Sequence, residues 1–128
     1  MDSQIVKFRT ANEKDVKDIM RIETSSFEKD ICEKEYVFLE RINIFPEGFF
    51  IMEYDKKVIG YLCSEIWEYK ENVNEKDFIL GHSIEKYHNP NGSELYISSM
   101  GILPSFRGIG MGRLMFNEFL SYILKKQN

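Results

Sequence analysis

A turn in which glycine alternates with larger residues carries the strongest chemical signal in this sequence. The turn, Arg107–Gly112, lies between an apolar run that predicts a strand and a periodic apolar stretch that predicts a helix. Its glycines can adopt positive φ angles and let the backbone approach a ligand closely. The N–H groups of the turn and of the helix start then point to one place, which favours a phosphate. Arg107 and Arg113 lie in this segment and residues 95–116 contain no acid, so the segment predicts a diphosphate ligand.

Two other phosphate-binding motifs fail on their spacing. A P-loop requires Gly-Lys-Ser/Thr, and the sequence contains no such tripeptide. The dinucleotide fingerprint requires G-x-G-x-x-G early in a βαβ unit and an acid about 20 residues later. Here the pattern is G-x-G-x-G, and only 16 residues follow Gly112. Glycines that merely tighten a strand-to-helix turn remain the structural alternative.

The same residues resemble the acetyl-CoA site of the GNAT acetyltransferases. Arg107-x-x-Gly110-x-Gly112 has the R/Q-x-x-G-x-G/A form of that site, and Ile102-Leu103-Pro104 matches the Val/Ile-x-Pro that precedes it. The opening Phe8-Arg9-Thr10-Ala11 is similar to the start of that fold. The resemblance implies one GNAT-like domain over residues 1–128, with the α/β (α+β) acyl-CoA N-acyltransferase fold. In that fold helices flank a mixed, mostly antiparallel central sheet, and acetyl-CoA (coenzyme A) is the cofactor.

A closer likeness is to the arylalkylamine (serotonin-type) N-acetyltransferases and their bacterial relatives. Val58–Trp67, followed by a long polar stretch, is similar to their third strand and loop, and Glu23–Phe27 matches an E-x-x-x-F phrase that closes a helix. The likeness implies transfer of an acetyl group to a primary amine of a small molecule or peptide, by direct attack in a ternary complex. Trp67, Tyr69 and Phe78 are candidates for an acceptor pocket, although core or loop packing explains them equally well.

The resemblance also implies roles for individual residues. The backbone of Met100 and Ile102 pairs with the pantetheine arm, and the Met100 N–H polarises the thioester carbonyl. Such a preorganised donor commonly contributes about 3–4 kcal/mol to catalysis. Backbone amides of the turn hold the diphosphate. The implied cofactor-binding set is therefore Met100, Ile102, Arg107, Gly108, Ile109, Gly110, Met111 and Gly112.

Proton transfer is where the sequence departs from the arylalkylamine enzymes. Two histidines relay the proton there, and the matching positions hold Tyr96 and Ser98. Strand alternation predicts one shared face for the candidate catalytic residues, which are Glu94, Tyr96, Ser98 and Met100. Glu94, or a water held by Glu94 and Ser98, is the predicted replacement. The other candidates are His82 and His88, which also fit solvated loop histidines.

A second departure concerns the C-terminal part of the fold. The family continues past the helix that follows the cofactor turn, and those later elements supply a tyrosine that protonates the thiolate. This chain stops at Asn128, which predicts an incomplete fold, an exposed sheet edge and self-association. A CoA-binding or self-associating module without activity is therefore the alternative function. A third is an interaction protein whose sheet edge recruits a partner strand.

Composition limits the classes of protein. A length of 128 residues and a net charge of −4 predict one domain that does not bind nucleic acid. Cys32 and Cys63 lack a CxxC or histidine partner, so the sequence predicts reduced thiols and no metal site. The sequence lacks the apolar h-region of a secretory signal peptide. It also lacks an apolar run that approaches the ~20 residues needed to span a membrane. The predicted location is the cytoplasm.

Hydrophobic periodicity places the elements that would position the turn. It predicts strands at 4–9, 49–54, 57–67 and 94–102, and helices at 11–25, 33–42 and 109–125. Thr10 and Glu13 have the spacing of a capping box, and Asp55-Lys56 is expected to close a hairpin. Gly60 indicates a bulge or a close backbone approach. Residues 68–93 form a long polar stretch, with a helical turn at about 75–80. The predicted buried stripe of the last helix is Met111, Leu114, Met115, Phe119, Tyr122 and Ile123.

Overall fold

The protein folds around one antiparallel sheet in the order β1-β2-β3-β4. The computed structural model describes residues 6–28, 31–68 and 84–127. The elements are β1 (Val6–Thr10), α1 (Val16–Ser26), α2 (Glu35–Ile44), β2 (Phe49–Tyr54), β3 (Lys57–Trp67), α3 (Ile84–Tyr87), β4 (Glu94–Ile102) and α4 (Met111–Gln127). This arrangement confirms the predicted fold class, and all strand pairs of the described sheet are antiparallel.

Helices cover both faces of the sheet. On one face, which we call the α1/α2 face, a Cβ at Gly101 would lie 2.8 Å from Ile22 of α1. On the other, the α4 face, a Cβ at Gly60 would lie 3.3 Å from Met115 of α4. The close approach predicted at Gly60 is therefore confirmed. Because both faces are covered, nearly all of β3 is buried, which explains its almost continuous apolar sequence.

The β2–β3 hairpin matches its prediction residue by residue. Asp55 and Lys56 adopt φ angles of 49° and 68°, as a two-residue turn with positive φ at both positions requires. A bulge follows in β3, because Met52 pairs with Gly60 whereas Glu53 pairs with Val58. The bulge therefore lies directly before Gly60.

The start of the first helix differs from the prediction. Asn12, not Thr10, is the capping residue: its side chain accepts from the Lys14 N–H at 2.9 Å, and Asp15 accepts from the Asn12 N–H at 2.9 Å. Thr10 cannot cap because it is still paired with Phe50 in the sheet. A short 3-10 turn, Glu13–Asp15, precedes α1. The predicted capping box at Thr10 and Glu13 was therefore wrong by two residues.

Two further expectations need correction or lie outside the described chain. The last helix begins at Met111 rather than at 109, because Gly110 has a φ of 85° and cannot belong to an α-helix. Within α4, Leu114 is 39% exposed and does not belong to the buried stripe. The helical turn predicted at 75–80 lies outside the described residues, and the short helix α3 follows at 84–87.

Candidate functional site

The glycine turn connects the end of β4 to the start of α4. Gly108 and Gly110 have φ angles of 78° and 85°. A Cβ added at Gly108, Gly110 or Gly112 would meet no atom within 4 Å. The first two glycines are therefore required by backbone conformation. Gly112 has no positive φ and lies in the first turn of α4, so neither conformation nor packing requires a glycine there.

Backbone donors at this turn face open space. The first intrahelical bond of α4 runs from the Leu114 N–H to the Gly110 carbonyl at 3.0 Å, so earlier N–H groups have no partner within the helix. Among the described residues we find no hydrogen bond donated by the backbone of residues 108–113. The positive end of the α4 dipole lies at the same place. The turn thus offers several donors to an anion.

The edge of β4 presents a second row of donors. In the described sheet, β4 pairs with β3 and forms the last strand. The Leu103 N–H donates to the Ile59 carbonyl of β3 at 2.8 Å. Since N–H directions alternate along a strand, the N–H groups of Ile102 and Met100 point away from β3, toward the open edge. Met100 is also 39% exposed.

A bulge at Ser98 changes the predicted faces of β4. Cys63 pairs with Ser99 while Ser64 pairs with Ile97, so Ser98 is the extra residue. The pairs Trp67–Glu94 and Glu65–Tyr96 place these side chains on the α1/α2 face, whereas Leu62–Met100 places Met100 on the α4 face. The expectation that Glu94, Tyr96, Ser98 and Met100 share one face is therefore wrong for Met100. Simple alternation fails because the bulge adds one residue.

Glu94 is also distant from Met100. It is exposed at the first position of β4, six residues before Met100, which corresponds to roughly 20 Å along a strand. A general base acts within hydrogen-bond reach or through one water. This separation argues against Glu94 as the proton acceptor for chemistry at Met100.

Ser98 instead binds a carboxylate that the sequence analysis did not consider. The Ser98 hydroxyl donates to Glu65 Oε2 at 2.8 Å, and Trp67 Nε1 donates to Glu65 Oε1 at 2.7 Å. Glu65 is fully buried, and Arg41 Nε lies 3.9 Å from its carboxylate. Tyr96 packs on the Trp67 ring with centroids 4.3 Å apart, and burial raises the pKa of Tyr96.

Arg41 is the buried cation of this region. Its guanidinium lies 3.5 Å from the Glu33 carboxylate and donates to Cys63 Sγ at 3.6 Å. Burial raises the pKa of the Cys63 thiol to about 12. Cys32 and Cys63 are both free and buried, which agrees with the prediction of reduced thiols. The thiol of Cys63 is therefore protonated at neutral pH.

A second buried chain of polar groups lies beside Ser99. The Tyr61 hydroxyl donates to Glu23, and Ser99 Oγ lies 2.7 Å from the same hydroxyl. Because Tyr61 gives its proton to Glu23, Ser99 donates to Tyr61. Glu23 also accepts from the Glu33 N–H at 2.8 Å. Burial is the main reason that the pKa of Tyr61 lies far above its usual value.

Arg107 and His88 do not occupy the positions expected of them. The Arg107 guanidinium turns back toward β4 and α1, where it donates to the Ile102 carbonyl at 2.8 Å and to Ser26 Oγ at 2.8 Å. His88 is half-buried: its Nδ1 accepts from the Ile66 N–H at 3.0 Å, and its ring stacks on Phe45. His88 is therefore not a solvated loop residue. His82, Tyr69 and Phe78 lie outside the described residues.

Sequence reasoning missed the buried polar groups, although two of them left a signal. Glu65 stands in an otherwise apolar strand, and Glu23 stands in the apolar stripe of α1. A charge at a buried position is retained when it is paired or functional. In the described residues no cluster of His, Cys, Asp and Glu could hold a metal ion. No helix of that same part of the chain has the length and apolar character needed to span a bilayer.

Comparison with known proteins gives a family match over most of the chain. The model of the acetyltransferase (GNAT) family matches residues 16–128. Among curated proteins, the chain is 21% identical over 103 residues to the uncharacterized N-acetyltransferase YkwB of Bacillus subtilis strain 168. That alignment covers 79% of this chain and 46% of YkwB.

The two solved structures described next have the same fold. The loading GNATL domain of CurA from Lyngbya majuscula superposes with a TM-score of 0.78 at 21% identity, over 91% of this chain and 57% of that one. Naa50 of Arabidopsis thaliana, in complex with the bisubstrate analogue CoA-Ac-MVNAL, superposes with a TM-score of 0.62 at 19% identity, over 94% of this chain and 66% of that one. The chain thus spans about half the length of YkwB and somewhat more of the CurA domain.

Proposed function

Since this chain belongs to the acetyltransferase (GNAT) family, we propose that it transfers an acetyl group from acetyl-CoA to a primary amine of a small molecule or peptide. The amine attacks the thioester directly in a ternary complex. The likeness to the arylalkylamine enzymes and their bacterial relatives favours an aromatic or alkyl amine. Two reduced thiols fit a cytoplasmic location.

The observation that carries the proposal is that a Cβ added at Gly112 would meet no atom within 4 Å. A glycine in a helix costs up to about 1 kcal/mol relative to alanine. Here neither backbone angle nor a neighbouring atom requires it. A ligand that approaches the backbone closely requires a small residue there, as the Gly/Ala of the family motif indicates, and the free N–H groups and helix dipole at this turn suit a diphosphate. We therefore assign the diphosphate of CoA to the backbone N–H groups of residues 108–112, whereas the Arg107 N–H already donates to the Pro104 carbonyl at 3.2 Å.

The open edge of β4 supports the position of the acyl group. The outward N–H groups of Ile102 and Met100 are spaced to pair with an extended pantetheine arm, as a neighbouring strand would. We place the thioester carbonyl at the Met100 N–H. A donor aimed at the developing oxyanion stabilises the transition state by about 3–4 kcal/mol.

We place proton removal at the Ser98–Glu65 pair rather than at Glu94. Ser98 is two residues from Met100, and Glu65 accepts the hydroxyl proton of Ser98 at 2.8 Å. An attacking ammonium must lose a proton before the thioester can be aminolysed, and a hydroxyl backed by a buried carboxylate, with one water, provides a route. Burial raises the pKa of Tyr96, so its phenol stays protonated at neutral pH and does not act as the base.

Substitutions distinguish the two carboxylates. Ser98→Ala is expected to lower kcat with amine acceptors while the Kd for acetyl-CoA stays within about twofold, and Glu94→Gln is expected to leave both unchanged. Glu65→Gln tests whether the negative charge of Glu65 is needed for turnover. Thermal unfolding of this variant checks that the fold tolerates the loss of that charge beside the buried Arg41. A loss of kcat in Glu94→Gln with normal turnover in Ser98→Ala would reverse the assignment.

The open strand edge favours a second candidate, a CoA-binding or self-associating module without activity. Leu95 and Met100 are exposed along β4, and an unpaired edge with apolar side chains promotes association. Calorimetric titration with acetyl-CoA, run beside a thiol-release assay with a panel of amines, separates the candidates. Binding with amine-dependent thiol release supports the enzyme, and binding alone supports the module. Size-exclusion chromatography reports self-association directly.

A further inference from the structure

The Arg107 side chain connects three elements of the fold. Its Nε donates to the carbonyl of Ile102, the last residue of β4, at 2.8 Å. One terminal nitrogen donates to Ser26 Oγ at 2.8 Å and to the Ser25 carbonyl at 3.3 Å. Both serines belong to the last turn of α1, 81 and 82 residues earlier in the sequence. A planar guanidinium with donors in a fixed fork suits such a bridge, and a cation is favourable at the C-terminal end of a helix.

The end of α1 is held closely against β4 where this bridge forms. A Cβ at Gly101 would lie 2.8 Å from Ile22, 3.0 Å from Tyr61 and 3.4 Å from Ser26 Oγ. The absence of a side chain at Gly101 therefore lets the last turn of α1 approach the strand. Ser26 also donates to the Ile22 carbonyl at 2.7 Å, which fixes its hydroxyl as an acceptor for Arg107.

The same turn of α1 holds the segment that follows it. The Glu23 carboxylate accepts from the Glu33 N–H at 2.8 Å, and Cys32 Sγ donates to the Glu23 and Phe27 carbonyls at 3.5 and 3.3 Å. Arg107 is thus one end of a continuous set of contacts that runs from the glycine turn to Glu33.

We propose that Arg107 is a positioning residue, which ties the turn of residues 108–112 to the end of α1 so that cofactor affinity depends on Ser26. This inference rests on the proposed function of the turn. The guanidinium is already directed to β4 and α1, so its role is to hold the turn amides in the arrangement that a diphosphate needs. Arg107 does not have to pair with the diphosphate itself.

The chain offers a matched pair of variants to test this. Ser25 and Ser26 both donate to the Ile22 carbonyl, but only the Ser26 hydroxyl accepts from Arg107. Ser26→Ala is expected to weaken acetyl-CoA binding about fivefold. In the ligand-free protein it is also expected to speed amide hydrogen exchange at Arg107 and Leu114, whose N–H groups donate to the Pro104 and Gly110 carbonyls on either side of the turn. Ser25→Ala is expected to change neither. Arg107→Lys keeps the positive charge but loses the planar guanidinium, so it should have the same effects as Ser26→Ala. The double variant Ser26→Ala/Arg107→Lys should lose no more affinity for acetyl-CoA than either single variant.

The outcomes separate this proposal from the function it rests on. Equal affinity and equal exchange in Ser25→Ala and Ser26→Ala, or wild-type affinity in Arg107→Lys, would overturn the positioning role. Additive losses in the double variant would do so as well, because they indicate independent contacts. If the wild-type protein does not bind acetyl-CoA, the proposed function fails. Faster exchange in Ser26→Ala alone would then still support the bridge, and unchanged exchange would refute it.

Discussion

Replacing Gly112 by leucine should stabilise the protein while it weakens cofactor binding. The residue lies at the second position of α4, without a positive φ, and a Cβ there would meet no atom within 4 Å. A β-carbon therefore fits the folded chain without strain or overlap. The rest of a leucine side chain, which is longer than the alanine that the family motif allows, would project into the space from which a diphosphate approaches the first N–H groups of the helix.

The two effects have opposite signs and different sizes. Leucine exceeds glycine in helix propensity by almost as much as alanine does, so a gain of about 0.5–1 kcal/mol is expected near the helix start. That gain corresponds to a rise in Tm of roughly 2–4 °C for a domain of this size. Charge-assisted hydrogen bonds to the diphosphate contribute about 1.5–3 kcal/mol each. Displacing the ligand so that one is lost weakens binding about 10- to 100-fold.

Urea unfolding and calorimetric titration with acetyl-CoA measure the two quantities on the same preparation. Ser121→Ala, at an exposed position further along α4, is the control: it should raise stability by a few tenths of a kcal/mol and leave affinity unchanged. Gly108→Ala should lower stability by about 1–2 kcal/mol because its φ of 78° strains an L-residue. Normal affinity in a stabilised Gly112→Leu protein would refute the argument that a ligand, rather than the fold, requires a small residue at this position.

Three further predictions concern buried titratable groups. Burial lowers the pKa of His88 in the folded protein below 6.5, so the contribution of neutral His88 to the free energy of unfolding should be complete above pH 6.5 and fall on acidification. His88→Asn keeps an acceptor for the Ile66 N–H and should make the free energy of unfolding depend less on pH, as measured by urea titrations between pH 7 and 5. Burial acts to raise the pKa of Asp15, but hydrogen bonds from Arg9 and Asn12 outweigh it and lower the pKa. Asp15→Asn should therefore cost about 2 kcal/mol at pH 7, and the difference from wild type should shrink as the pH falls through and below 3.8. Burial raises the pKa of Cys63 to about 12 and the pKa of Cys32 above its usual value. Both thiols should therefore react with Ellman's reagent at pH 8 only as fast as the protein unfolds locally or globally. Rapid labelling of the native protein would contradict their burial.

The parts of the fold that the sequence predicted well are those determined by local chemistry. The bounds of β2, β3 and β4 followed from apolar runs bounded by turn residues. Asp55-Lys56 indicated the hairpin because only these two polar residues separate two apolar runs. The glycine turn was recognisable because glycine spacing reports a backbone conformation directly. Helix starts were less accurate, since Asn12 and Thr10 both qualify as caps until sheet pairing excludes one of them.

The partners of buried polar groups could not be predicted, because tertiary packing selects them. Arg107 meets Ser26 across 81 residues, and Ser98 meets Glu65 across 33. Strand alternation assigned faces to the residues of β4. The bulge at Ser98 adds one residue, so the residues after it lie on the opposite face from the one that alternation assigns by counting from the start of the strand. A bulge depends on how two strands pair, and a single strand's pattern contains no sign of it.

The bulge also explains how one short segment can serve two sides of the proposed acetyl transfer. In a regular strand, Ser98 and Met100 would face the same layer of helices. With the extra residue, the hydroxyls of Ser98 and Ser99 both reach buried carboxylate networks on the α1/α2 face. Met100, one residue further, has its side chain on the α4 face and its N–H at the open edge. Groups able to move a proton and a donor able to polarise a thioester are thereby brought within three consecutive residues, an arrangement that strand alternation alone does not provide.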